Sequence, residues 1–319
     1  MSIKLIDIYK ACVDKGIAND PRSPEEIEAL LAEKKQAFDK LEDAEKEFFD
    51  SEKLTNPYSD TRICFGDPAL DIRGLIVGID MEVGEILLAD RMRESGKPVD
   101  LVFAHHPEGI GYASMHEVMG MQADIWAAQG VSVAAGDRLI ETRAQEVRRK
   151  IMPANHYRAV DAARLLDIAF LSCHTPADNS VTRFVQSHLD EKAPRTLNDI
   201  VKVLREIPEY ADAARKGYGP NVIGGKGSNR AGRIVVDMTG GTEGPSEALD
   251  KLVDAGVGTL VGMHYSEDHR KHAEKINLNL VIAGHVSSDA IGMNLVLDEV
   301  EKLGEVEIFT CSGMIRVKR

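Results

Sequence analysis

From Arg73 onward, short apolar runs alternate with helical segments, and this alternation restricts the fold more than any other feature of the 319 residues. Runs near 73–80, 99–104, 131–134, 168–173, 231–238, 258–263, 279–284 and 306–311 have the length and β-branched content of strands. Several are apolar throughout rather than at every second position, the mark of strands covered on both faces. The pattern therefore predicts an α/β protein of mostly parallel sheets covered by helices. The stretch 191–229 breaks the rhythm with one helix starting near Leu197 and a glycine-rich passage, 217–232, that reads as a loop or linker. Residues 61–319 thus form one α/β domain, with halves at about 61–190 and 230–319 joined by 191–229. A hydrophobic share of 43% is ample for its core.

Residues 1–60 read as a helical N-terminal extension. Ser23-Pro24-Glu25-Glu26 has the proline and the acids of a helix start. Ile27, Leu31, Phe38, Leu41 and Phe48 then recur at helical intervals among Glu and Lys, predicting one long amphipathic helix over 23–54. Such a helix either clamps another subunit or lies on its own domain. Asn56-Pro57-Tyr58-Ser59-Asp60 closes the region as a turn.

Four of the predicted strands stop at histidine: FAHH at 103–106, LSCH at 171–174, VGMH at 261–264 and IAGH at 282–285. In open α/β sheets the crevice beyond the carboxyl ends of the strands is where ligands bind, so these rings can converge from distant positions. Neighbours on an extended chain point to opposite sides, so His105 and His106 can serve two adjacent sites; equally, one can be an interior residue and the other a surface one. His285 and Asp289, and likewise His174 and Asp178, stand four residues apart in what read as first helical turns, imidazole and carboxylate on one face. An aspartate there also serves as a cap or as a complement to the helix dipole. As a mixed nitrogen and oxygen set, these groups suit Zn, Mn, Fe or Co better than Ca or Mg. The turn Thr239-Gly240-Gly241-Thr242-Glu243-Gly244 follows a strand, so the backbone N–H groups of Gly240, Gly241 and Thr242 can cradle a phosphate, or simply make a tight turn.

A formal charge of −13 and the lack of a basic stripe argue against a nucleic-acid partner, which needs clustered Lys and Arg to displace counterions. No apolar run approaches the roughly 20 residues of a membrane span, and the N-terminus does not follow the plan of a signal peptide, so the expected location is cytoplasmic. Cys12, Cys64, Cys173 and Cys311 are far apart and form no C-x-x-C pair, which disfavours a disulfide framework or a zinc knuckle.

AHHP at 104–107, HTPAD at 174–178, VVDMTGGTEG at 235–244 and AGHVSSD at 283–289, in that order, resemble the NGG-one-interacting-factor-three-like (Nif-three-like) family, also called GTP cyclohydrolase type 2-like. The likeness spans roughly residues 70–319. It implies two intertwined halves and two divalent transition-metal ions per subunit, with His105 and His106 on different ions, Asp178 on one, His285 on the other and Asp289 between them. His174 becomes an additional ligand or a proton carrier; Glu108, in a stretch where the family is usually apolar, is not carried over by the resemblance but offers a second candidate to shuttle a proton at such a site. The family's partners are small molecules, and its assembly is a homo-oligomer, commonly a hexameric ring. The chain departs from the family in having Asp289 in place of a glutamate, and in matching an aromatic-Asp-Asn-Val-Gly-Leu opening only at Leu70–Leu75. The function implied is that of a metal-dependent hydrolase acting on a nucleotide-like molecule or a cyclic amide or phosphoester through a metal-bridging water. The alternative is a protein that binds or handles metal without turnover.

Overall fold

The computed structural model describes residues 3–319. Its strands are β1 (Ile3–Lys4), β2 (Arg62–Phe65), β3 (Asp71–Ile72), β4 (Gly74–Gly78), β5 (Leu101–Ala104), β6 (Ala169–Ser172), β7 (Asn221–Gly224), β8 (Arg233–Asp237), β9 (Val257–Gly262), β10 (Asn279–Ile282) and β11 (Glu307–Thr310). One sheet runs β11-β4-β5-β6-β2, parallel except for β2; the other runs β7-β10-β9-β8, parallel except for β7; β1 and β3 form a ribbon. The architecture is α/β with mixed, mostly parallel sheets, as the alternation predicts. After the second sheet is complete the chain returns, and β11 pairs with β4 in the first. The two halves are thereby laced together.

Seven of the eight predicted runs contain strands; the one at 131–134 does not. Val131 is a buried anchor after the Gly130 turn, and the helix Val133–Ile151 begins two residues later. Its apolar residues at 140, 147 and 151 follow a helical stripe, which overrides the short run of Val, Ser and Val. The passage 217–232 is not wholly a loop, because β7 adds antiparallel to β10. The single helix expected over 23–54 is broken into helices Pro24–Asp39 and Asp43–Lys46 and a 3₁₀ turn, Ser51–Leu54. Each piece has its own start signal: Ser23 with Glu26 and Glu42 with Glu45 make reciprocal capping contacts, and Asp50 accepts from the Glu52 N–H. The chain folds back, bringing the Phe38 and Phe49 rings to 5.0 Å.

The helix Leu5–Asn19 belongs to the main core: Leu5, Ile8 and Cys12 are fully buried against Leu75, Phe103 and Met293. It packs on two central helices, Thr175–Lys192 and His285–Leu303, which also pack on each other. These two start at the ends of β6 and β10 respectively. Arg62, fully buried at the start of β2, ties the 3₁₀ turn to the sheet through Asp50 (2.6 Å) and Glu52 (2.9 Å).

Candidate metal centre

The first sheet delivers two histidines from β5. The His105 N–H donates to Gly78 O and the His106 N–H to Ile79 O, both at 3.0 Å, so the chain stays extended past the strand end and the side chains diverge. His105 turns inward and is fully buried. Its Nδ1 is 3.1 Å from the Cys173 carbonyl, a partner that can only accept, so Nδ1 carries the proton and Nε2 presents a lone pair. Burial pushes this imidazole down to about 4, against the pull of Asp289. It is therefore neutral at physiological pH. His106 turns toward the opening, with Nδ1 2.6 Å from an Asp80 carboxylate oxygen.

The other groups come from the two central helices. His174 precedes Thr175–Lys192, and His285 is the first residue of the second helix, after Gly284 at φ 118°, a value that suits glycine. In each case the aspartate four residues on lies one turn deeper. The helices cross at Gly292, where a Cβ would stand 2.4 Å from the Ala177 carbonyl oxygen. Only a residue without a side chain permits this approach, and it brings Asp178 and Asp289 into one site.

Imidazole rings line the rim in succession. Centroids are 4.9 Å apart for His174 and His105, 5.1 Å for His105 and His106, 5.3 Å for His106 and His285, and 5.0 Å for His285 and His264. Asp289, 0% exposed, lies beneath them. Its Oδ1 is 3.5 Å from His105 Nε2, and its Oδ2 is 3.7 Å from His106 Nε2 and 3.6 Å from His285 Nε2. Asp178 Oδ1 is 3.6 Å from His105 Nε2, and Oδ2 is 3.7 Å from His174 Nε2. These separations exceed a good hydrogen bond. Both oxygens of Asp289, Asp178 Oδ1 and His105 Nε2 are buried with no hydrogen-bond partner. Lone pairs facing lone pairs in a dry site are costly unless a cation lies among them. The donor set fits a metal: His106, His285 and Asp289 form one group, His105, Asp178 and Asp289 a second, and His105, His106 and His174 a third, with ligand atoms within 4.8 Å of one another in each.

The sequence-predicted site residues therefore meet: His105, His106, His174, Asp178, His285 and Asp289 share one rim. Glu108 lines the same cavity, its carboxyl pushed up to about 7 by burial and by the neighbouring Glu82. Gly241 and Thr242 also line it, whereas Gly240 is buried beneath. The Gln122 side-chain amide holds the carbonyls of Gly240 and Thr242 at 2.7 Å each, the Thr242 N–H donates to Gly240 O, and the following helix starts only at Ala248.

Three neighbours of these groups lie outside the predicted set. Asp80 ends its apolar run as the histidines end theirs, a signal available in the sequence. Asp60 lies in a turn with no such signal; its Oδ2 accepts from Thr175 Oγ1 at 2.6 Å and is 2.9 Å from His174 Nδ1. Burial alone lowers the His174 pKa, but Asp178, Asp60 and Asp289 outweigh it and push the ring up to about 9. Asp71, within the Leu70–Leu75 stretch, pairs with Lys4 on the β1–β3 ribbon. The third neighbour, His264, absent from the ligand set but already among the strand-end histidines, stands beside His285.

No protein-family model matches the sequence, and no curated protein matches it. Among solved structures, a NIF3 superfamily protein from Sphaerobacter thermophilus aligns with a TM-score of 0.71 and 27% identity, over 80% of this chain and 92% of that one. Reduced HcgD from Methanocaldococcus jannaschii aligns with a TM-score of 0.51 and 14% identity, over 83% of this chain and 93% of that one, a likeness of fold.

Proposed function

This chain belongs to the NIF3-like superfamily, and on that footing we propose that it is a dinuclear metal protein that hydrolyses a small nucleotide-like molecule or a cyclic amide or phosphoester. The observation that carries this reading is Asp289. It is wholly buried, with one unpartnered oxygen facing His105 and Asp178 and the other facing His106 and His285. One carboxylate between two donor sets suits two ions of Zn, Mn, Fe or Co, held by His105 with Asp178 and by His106 with His285. Such ions, when bound, supply Lewis acidity and lower the pKa of water at the site.

The protein's own groups do the rest. Asp60 fixes the His174 ring through Nδ1, leaving Nε2 directed at the site to take or give a proton. The Glu108 carboxylate, on the cavity wall, is the second candidate proton carrier. A cavity of about 390 Å³ admits a small molecule. Homo-oligomerisation, with a hexameric ring as the form, belongs to the same proposal and is tested by sedimentation equilibrium. Among the described residues no helix is long and apolar enough to cross a membrane.

The decisive experiment is metal analysis of protein purified without added metal, alongside His106→Ala and Asp289→Ala, with hydrolysis of nucleotides and phosphoesters followed in parallel. Metal content and turnover are expected to fall together in both variants. Unchanged metal content in Asp289→Ala overturns the site, and metal without turnover in the parent reduces the assignment to metal binding.

A further inference from the structure

The cavity that opens on the histidine rim has a second wall, built from the end of β8, the loops after β8 and β9 and the helix Glu267–Lys275. Asp237, Glu243, Tyr265 and His269 line it. Glu243 is engaged: its Oε1 accepts from the Ser266 N–H at 2.8 Å and lies 3.3 Å from His269 Nδ1. Asp237 and Tyr265 are not. The Tyr265 hydroxyl is buried without a hydrogen-bond partner, and the Asp237 carboxylate makes no hydrogen bond or ion pair among the described residues. Burial and Glu243 push Asp237 up to about 6, so at neutral pH it remains an acceptor. Trp126, Leu249 and Leu252 line the same cavity and supply apolar surface.

Away from the histidine rim, the charge of the cavity is one-sided. Asp80, Glu82, Glu108, Asp237 and Glu243 line it, and among the described residues no Lys or Arg does. Arg143, which approaches Glu243, is committed to the Glu243 carbonyl at 3.1 Å and to the Glu146 carboxylate at 3.2 Å. An anionic group placed at the second wall would meet only like charge, whereas an N–H edge would satisfy both unpartnered groups.

We infer that this wall is a recognition subsite for the N–H edge of a neutral or cationic nitrogen heterocycle, such as an amino-substituted ring, held by the Asp237 carboxylate and the Tyr265 hydroxyl with its body against Trp126. This deepens the functional reading above and rests on it only in taking the cavity as the substrate's.

Trp126 is the sole tryptophan of the chain, so its emission reports occupancy directly. The test titrates the full chain with 2-aminobenzimidazole and with benzimidazole-2-sulfonate, each with and without EDTA so that contacts to metal are separated from contacts to the wall. The amino probe is expected to bind at least tenfold more tightly than the sulfonate. Asp237→Asn is expected to weaken the amino probe tenfold or more without changing metal content, and Tyr265→Phe to weaken it severalfold. Equal or tighter binding of the sulfonate, no response to either probe, or an unaltered Asp237→Asn variant overturns the subsite. If Asp237→Asn does not fold, the ratio of the two probes on the unmodified chain decides. A chain that carries no metal but keeps the preference removes the metal reading and leaves the subsite standing.

Discussion

Replacing Gly292 by alanine tests whether the helix crossing sets the geometry of the site. A Cβ at 292 would lie 2.4 Å from the Ala177 oxygen, 2.8 Å from its carbonyl carbon and 3.1 Å from its Cβ. Ordinary contact begins at 3.4 Å, so the helices must separate by about 1.0 Å, the difference between 3.4 and 2.4. The opposing atoms are backbone in the first turn of a helix and cannot swing aside. Overpacking of this kind costs about 1–3 kcal/mol. Alanine in place of a helical glycine returns about 1 kcal/mol, so the net expectation is a loss of about 0–2 kcal/mol.

The separation also pulls Asp178 away from Asp289, because each stands within two turns of the crossing. Urea denaturation of Gly292→Ala with EDTA present measures the stability term alone, and equilibrium dialysis with Zn or Mn measures the site. The expected outcome is a lower midpoint together with weaker metal binding. A variant as stable as the parent would show that helix propensity outweighs the contact. Reduced stability with unaltered metal affinity would refute the link between the crossing and the site.

Asp80→Ala removes the carboxylate that orients His106, and metal affinity is expected to drop by roughly 10–100-fold; dialysis showing no change would assign Asp80 no part in holding the ring. The raised pKa of Asp237 makes a prediction about stability. Its folded value of about 6 exceeds the ordinary 3.8, so the unfolded chain loses this proton first as pH rises. The stability associated with that proton is present below about pH 4 and is lost by about pH 6. Urea midpoints across this range should show a downward slope in the parent that Asp237→Asn flattens, and an equal slope in both would contradict the burial of the group.

The strands were legible because burial on both faces writes itself as a continuous apolar run, and β5, β6, β9 and β10 lie where those runs do. The two H-x-x-x-D pairs were legible for the same local reason, since four residues on a helix return to one face. Between 23 and 54 the apolar spacing survived the breaks, and only the capping residues at 42 and 50 reveal the fold-back. At 131–134 a short run matches a strand, but the longer helical stripe beside it prevails. Asp60 left no trace, because nothing near a turn aspartate in sequence says which histidine it will meet more than a hundred residues later.

The amino-acid sequence by itself determined the α/β class, the strand ends and the residue types that gather there, since each depends on neighbours within a turn or a strand. Tertiary structure alone decided that β11 returns beside β4, that Gly292 lets two helices close on one another, and that Asp289 turns one oxygen to each side. These follow from contacts between segments far apart along the chain, where packing and the exclusion of water, rather than local spacing, select the arrangement.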